Sequence, residues 1–231
     1  MLPKPPRTFI EGPSGTLECV VEEPAAGATS STTSGVTTAA TTAATTAATT
    51  PALAVVCHPH PLHGGTLDNK VAQTLARAFV QRGYRTVRFN FRGVEQSAGT
   101  WGEGPGEVQD ALAVIRHFRA PGQALALAGF SFGAYVASQA AAHQLPDAPV
   151  HRLILVGPAV DTFAMAAVPA GTLVIQGETD DVVPLSSVLR WASEQALPVT
   201  VIPRAGHFFH GQLGLLKSLV LQAGTTSYAI S

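Results

Sequence analysis

The pentapeptide Gly129-Phe130-Ser131-Phe132-Gly133 constrains this chain more than any other stretch, because of what flanks it. The run Ala124-Leu125-Ala126-Leu127-Ala128 before it has the length and composition of a buried strand, and Ala134 to His143 after it is helix-like. The chain must therefore reverse from strand to helix around a serine. Glycines two residues either side of the serine keep Cβ atoms out of that crowded turn. A strand, Gly-x-Ser-x-Gly, helix order is the context of a nucleophile elbow, with the Ser131 hydroxyl projecting near a helix N-terminus.

A serine hydroxyl is a weak nucleophile at neutral pH, so it needs a base to take its proton and a third group to orient that base. Later segments offer both. Leu173-Val174-Ile175-Gln176 has the character of a buried strand, and the acids of Gly177-Glu178-Thr179-Asp180-Asp181 follow it in a loop. Asp180 is the first candidate for the orienting carboxylate, with Asp181 and Asp161 as rivals. Asp180 has a bland alternative as the cap of a helix starting near Pro184. Val199-Thr200-Val201-Ile202 predicts the next strand, and the loop after it carries Gly206-His207. His207 is the candidate base, and His210 lies three residues on.

The order Ser131, Asp180, His207 is that of the α/β-hydrolases and differs from those of the chymotrypsin and subtilisin classes. Each candidate follows a predicted strand, and loops at the carboxyl ends of parallel strands meet on one side of an open sheet. An oxyanion site needs backbone N–H groups, one from the residue after the nucleophile and one from a loop after an earlier strand. Phe132 supplies the first. The strand Leu53-Ala54-Val55-Val56-Cys57 runs into His58-Pro59-His60-Pro61-Leu62, where the prolines have no N–H to give. His60 is the expected second donor and Leu62 its alternative.

His58-Pro59-His60-Pro61, Gly64-Gly65-Thr66, Asn69-Lys70-Val71, Phe89-Asn90-Phe91-Arg92-Gly93-Val94, Gly129 to Ala134 and Gly206-His207-Phe208-Phe209 together resemble the small bacterial α/β-hydrolases described as predicted hydrolases or esterases. The resemblance covers residues 7 to 23 and 52 to 221. It implies a compact, lidless α/β-hydrolase fold with the Ser131, Asp180 and His207 roles above. Two departures stand out: Glu95 replaces a second glycine of the Arg-Gly-Val-Gly-x-Ser loop, and Leu62-His63 replaces a polar-aromatic pair. Both lie near the expected pocket mouth, so substrate preference does not carry over.

Three histidines at 58, 60 and 63 raise a metal reading, since alternate residues of an extended segment point the same way. No further ligand set accompanies them, and neither a metal nor a cofactor is expected. Arg92 has two readings, an anion clamp or a guanidinium satisfied by strand-end carbonyls; Ser97 belongs to the same turn. Cys19 and Cys57 are expected as buried free thiols, and Cys57 points to the opposite face from His58.

The chain has 231 residues, 46% of them hydrophobic, which suits a single α/β domain with a sizeable core. With 14 basic and 15 acidic residues it lacks the charge footprint of nucleic-acid binding. Its apolar runs are too short to span a bilayer, and the first residues lack the apolar region of a secretory signal. A cytoplasmic enzyme acting on a small acyl substrate is expected; self-association is open. A stretch from about residue 25 to 51, nearly all Ala, Thr, Ser and Gly, can bury little surface and predicts a disordered loop insertion.

Helical periodicity appears over Leu67 to Gln81, Glu107 to Phe118, Leu189 to Ala196 and Gly211 to Gln222, with strands between. That alternation predicts a mostly parallel sheet covered on both faces, with residues 7 to 22 as an antiparallel edge. The stretch between the strands at Leu153 and Leu173 is too short for a helical lid.

Overall fold

The computed structural model describes residues 5–25, 50–144 and 148–223, so most of the predicted loop insertion lies outside the described residues. Eight strands form one sheet: β1 Thr8–Gly12, β2 Gly15–Glu22, β3 Leu53–Cys57, β4 Arg85–Phe89, β5 Leu125–Phe130, β6 Val150–Val156, β7 Leu173–Gly177 and β8 Val199–Ile202. Their order is β1-β2-β4-β3-β5-β6-β7-β8. The first two pair antiparallel and β2 joins β4 antiparallel, while every later pairing is parallel. The α/β-hydrolase architecture and its antiparallel edge are as the sequence predicts.

Side-chain alternation along the central strands sends residues to two helical layers. Leu53, Val55, Leu125, Leu127 and Leu155 pack on the face covered by α2 Pro105–Phe118 and α3 Phe132–Ala142. Ala54, Val56, Ala126, Ala128 and Val156 face α1 Lys70–Gln81 and α5 Leu213–Gln222. Small residues on the second face let α1 lie close, and Val71, Leu75 and Phe79 fill the space between. A smaller cluster around Val174, Val188 and Leu197 seats α4 Leu185–Glu194.

Several boundaries differ from expectation for local reasons. Helix α1 starts at Lys70 rather than Leu67, because the Asn69 side chain accepts from the Val71 and Ala72 N–H groups and caps the first turn. The Leu67 N–H instead donates to Asn90 Oδ1. Helix α4 starts four residues before Leu189, directly after Pro184, and Ala196 at φ 53° ends it. Helix α5 starts at Leu213 because Gly211 is left-handed at φ 75°. Strand β5 runs on to Phe130, so the turn holding Ser131 is tighter than the apolar run suggests.

Registers align the carboxyl ends of the parallel strands, with Cys57 opposite Gly129, Phe130 opposite Val156 and Gly177 opposite Ile202. The loops after β3, β4, β5, β7 and β8 consequently open on one edge. No helix forms between β6 and β7, and that edge carries no helical lid among the described residues.

Candidate active site

Ser131 occupies the reversal between β5 and α3 at φ 56°, ψ −119°, a conformation that costs a non-glycine residue on the order of 1–3 kcal/mol. Its neighbours explain how the turn closes. A Cβ on Gly129 would lie 1.9 Å from the Gly133 carbonyl oxygen, and one on Gly133 would lie 2.3 Å from that of Cys57. Both glycines are therefore required by backbone approaching backbone. The Ser131 N–H donates to the Val156 carbonyl at 2.9 Å, which ties the elbow to the end of β6.

Two further loops converge on it. The loop after β7 and the loop after β8 are bound together: the Thr179 N–H donates to the Ala205 carbonyl, and the Arg204 N–H to Glu178 Oε2. That cross-pinning fixes Asp180 relative to His207. His207 Nδ1 lies 2.8 Å from Asp180 Oδ2, and its Nε2 lies 3.1 Å from Ser131 Oγ. With the proton on Nδ1 donated to the carboxylate, Nε2 is free to accept from the serine hydroxyl. Phe130 packs on the imidazole at 4.8 Å between ring centres, and Gly157 leaves room for it on another side.

Asp180 accepts from three further donors: the Val182 and Val183 N–H groups on Oδ1 and Gln176 Nε2 on Oδ2. Burial pushes its carboxyl pKa up, but hydrogen bonds from His207, Val183 and Val182 outweigh this and leave it lowered. Its stabilising contribution is thus present above its ordinary value near 3.8 and is lost as pH falls through the lowered folded value. Gln176 escaped the sequence reading. The available signal was an amide ending an otherwise apolar strand, where a buried polar group needs partners.

The rivals sit elsewhere. Asp181 is exposed, and Asp161 pairs with Arg190 Nη2 at 3.0 Å. His210 is exposed beside Phe208. Asp180 caps its own loop and not α4, whose first turn follows Pro184.

On the other side of Ser131, the loop after β3 folds into a short 3₁₀ turn over Pro61–His63. The Leu62 N–H donates to His60 Nδ1 at 3.2 Å, which engages one of the two oxyanion candidates. The N–H groups of His60 and Phe132 donate to no other described residue. The His60 and Phe132 rings are 5.1 Å apart, so the side chains of the two candidate residues pack together.

His58 is fully buried, with Nδ1 2.7 Å from the Pro59 carbonyl and Nε2 accepting from the Phe91 N–H at 3.1 Å. Both ring nitrogens are occupied, so the imidazole staples the loops after β3 and β4 and has no lone pair left for a metal. Burial pulls its pKa down to about 3. The unfolded chain takes up this proton below about pH 6.5 and the folded chain does not, so stability falls as pH drops from 6.5 towards 3. Denaturant midpoints measured from pH 7 to 5 should reveal about 2 kcal/mol of loss that His58→Gln lacks. Parallel pH profiles for the two proteins would refute the buried neutral staple.

Arg92 is neither a free anion clamp nor a partner of strand-end carbonyls. Its Nε and Nη2 bind both oxygens of Asp110 on α2, at 3.0 and 2.8 Å, and Asp110 also accepts the Arg92 N–H. The carboxylate is wholly buried, so this bidentate pair fixes the loop after β4 onto α2. Ser97 belongs to the same loop as expected, donating to the Asn90 carbonyl and accepting the Glu18 N–H. Trp101, Phe163 and His60 surround Phe132, with ring centres 4.9 to 5.1 Å from it. That aromatic wall also escaped the sequence reading, since its members come from three separate loops and the start of α3.

A serine, an imidazole and a carboxylate in this array are equipped for proton removal and nucleophilic attack. The model of the family described as serine aminopeptidase, S33, matches residues 51–188. An uncharacterised protein of Rickettsia prowazekii is 32% identical over 173 residues, covering 68% of this chain and 71% of the relative. This chain belongs to the α/β serine hydrolase family. Among solved structures, this hydrolase resembles a lidless α/β serine hydrolase from Xanthomonas campestris at TM-score 0.78 and 34% identity, covering 96% of this chain and 95% of the other. An α/β serine hydrolase homologue from Coxiella burnetii matches at TM-score 0.75 and 36% identity, over 96% and 98% of the two chains. The first of these is described as having no lid, and among the described residues of this chain no helix covers the Ser131 edge.

Proposed function

We propose that this hydrolase cleaves small carboxylic esters through an acyl-enzyme on Ser131. The single observation that carries the reading is the pair of hydrogen bonds linking Asp180 to His207 and His207 to Ser131. His207 Nε2 takes the hydroxyl proton as Oγ attacks the ester carbonyl. Asp180 holds the imidazole and stabilises its charged form. The tetrahedral oxygen sits on the N–H groups of Phe132 and His60, which have no acceptor among the described residues. Collapse expels the alcohol, which takes the proton back from His207 Nε2. Water, deprotonated by the same nitrogen, then attacks the acyl carbonyl and releases the acid.

This chemistry needs no cofactor or metal, and we place the enzyme in the cytoplasm as a single catalytic domain acting on small acyl substrates. Two free, buried cysteines are consistent with a reducing compartment. Burial, helped by the charge of Glu18, raises the Cys19 thiol pKa to about 12, and burial alone raises that of Cys57. Neither thiol competes with Ser131 as a nucleophile.

The family description favours a second reading, an aminopeptidase. Esters are preferred here because an ester's alcohol is expelled with less need of prior protonation than an amide's amine, and the open edge suits small acyl groups. Paired assays of p-nitrophenyl esters of increasing acyl length against aminoacyl p-nitroanilides separate the two. The ester reading predicts kcat/KM at least about 100-fold higher on the best ester, a barrier difference of about 2.7 kcal/mol. A preference for the anilides would replace it with the peptidase reading.

A further inference from the structure

Beside the oxyanion loop lies a cleft of about 240 Å³ between the loops after β3 and β4. It is smaller than a drug-sized ligand pocket and suits one small group of a substrate. Pro61, Leu62 and Thr66 line one side, and Arg92, Glu95 and Trp101 the other. Trp101 joins the cleft to the nucleophile, since its ring lies 4.6 Å from that of His60 and 5.1 Å from that of Phe132. A substrate group bound there would share Trp101 with the aromatic wall around Phe132, the residue after Ser131.

The charges in the cleft do not cancel. The Arg92 guanidinium is held by both oxygens of Asp110, so its charge is already matched within the protein. Glu95 is exposed and makes no ion pair or hydrogen bond with another described residue. It also stands at φ 49°, in a left-handed conformation that bulky side chains disfavour. The cleft therefore combines an uncompensated carboxylate with an aromatic wall, the pairing that recognises substituted ammonium groups.

We infer that this cleft binds an alkylammonium group of the substrate, with Glu95 as its counter-charge and Trp101 as its aromatic wall. The inference rests on the ester-hydrolase reading and adds the substrate's charge to it. The ammonium can belong to the alcohol or to the acyl half of the ester. Two matched pairs of esters, each a trimethylammonium compound and its uncharged tert-butyl isostere, distinguish these sources.

The alcohol pair is a choline ester against the 3,3-dimethylbutyl ester. The acyl pair is the p-nitrophenyl ester of 4-(trimethylammonio)butyrate against that of 5,5-dimethylhexanoate. At pH 8 and low salt, one pair should show at least about a fivefold kcat/KM preference for the cation. Glu95→Gln should remove most of that preference, as should added salt, which a purely steric contact would not feel. No preference in either pair, or a preference unchanged in Glu95→Gln, overturns the inference.

Failure of the ester reading is separable. If no ester turns over, or if Ser131→Ala matches the parent, choline is titrated into the Ser131→Ala protein and followed by ligand-observed NMR. Saturable binding weakened about fivefold by adding Glu95→Gln sustains the cleft without catalysis. Absence of saturable binding overturns it.

Discussion

Ser131→Ala is expected to lower ester hydrolysis by at least about 10⁴-fold while the protein remains folded. The hydroxyl is the atom 3.1 Å from His207 Nε2, and its removal leaves the imidazole nothing to activate. The fold should be indifferent, because the turn is held by the Ser131 N–H on the Val156 carbonyl and by the flanking glycines, not by Oγ. His207→Ala should cost a similar factor, and the double variant little more, since residues acting as one unit lose their effect once. Circular dichroism establishes folding beside the kinetic assay. Retained activity in folded Ser131→Ala, or losses that multiply in the double variant, would refute the shared unit.

Gly129→Ala should destabilise the protein by about 3 kcal/mol or more. The added methyl would lie 1.9 Å from the Gly133 oxygen and 2.5 Å from the Ala134 nitrogen, both backbone atoms of the opening turn of α3. Neither can move without displacing the helix from the end of β5. Gly214→Ala serves as the contrast, because nothing lies within 4 Å of its built Cβ and it sits inside α5. That change should leave stability equal or raise it by roughly 0.5–1 kcal/mol through helix propensity. Equal denaturant midpoints for the two variants would mean that the elbow tolerates a side chain and that its geometry is not set by glycine.

The parts of the site that could be read in advance are those fixed by local pattern. Ser131, Asp180 and His207 each follow an apolar strand within a few residues, and a parallel sheet brings such positions to one edge. The hydrogen bonds of His207 to both partners are the consequence. What stayed hidden depends on which distant groups meet. Gln176 orients Asp180 only because the loop after β7 turns back to bring the Val183 carbonyl onto the same amide. Arg92 was readable as a strand-end cation, but its partner Asp110 lies on α2, and nothing in the local spacing couples the two.

At α1 the apolar periodicity runs past the helix cap. Leu67 fits the apolar face of α1, yet Asn69 ends that pattern by capping the chain two residues later. His58 was open to a metal reading because spacing alone does not reveal that Phe91 and Pro59 use both its nitrogens.

The most direct test is covalent. A fluorophosphonate reacts with a serine only when a neighbouring base activates it, and the adduct stays bound. Intact-mass measurement should show addition of a single phosphonyl group, peptide mapping should place it on Ser131, and both Ser131→Ala and His207→Ala should remain unlabelled. A label on another residue, or one that persists in Ser131→Ala, would contradict Ser131 as the activated nucleophile.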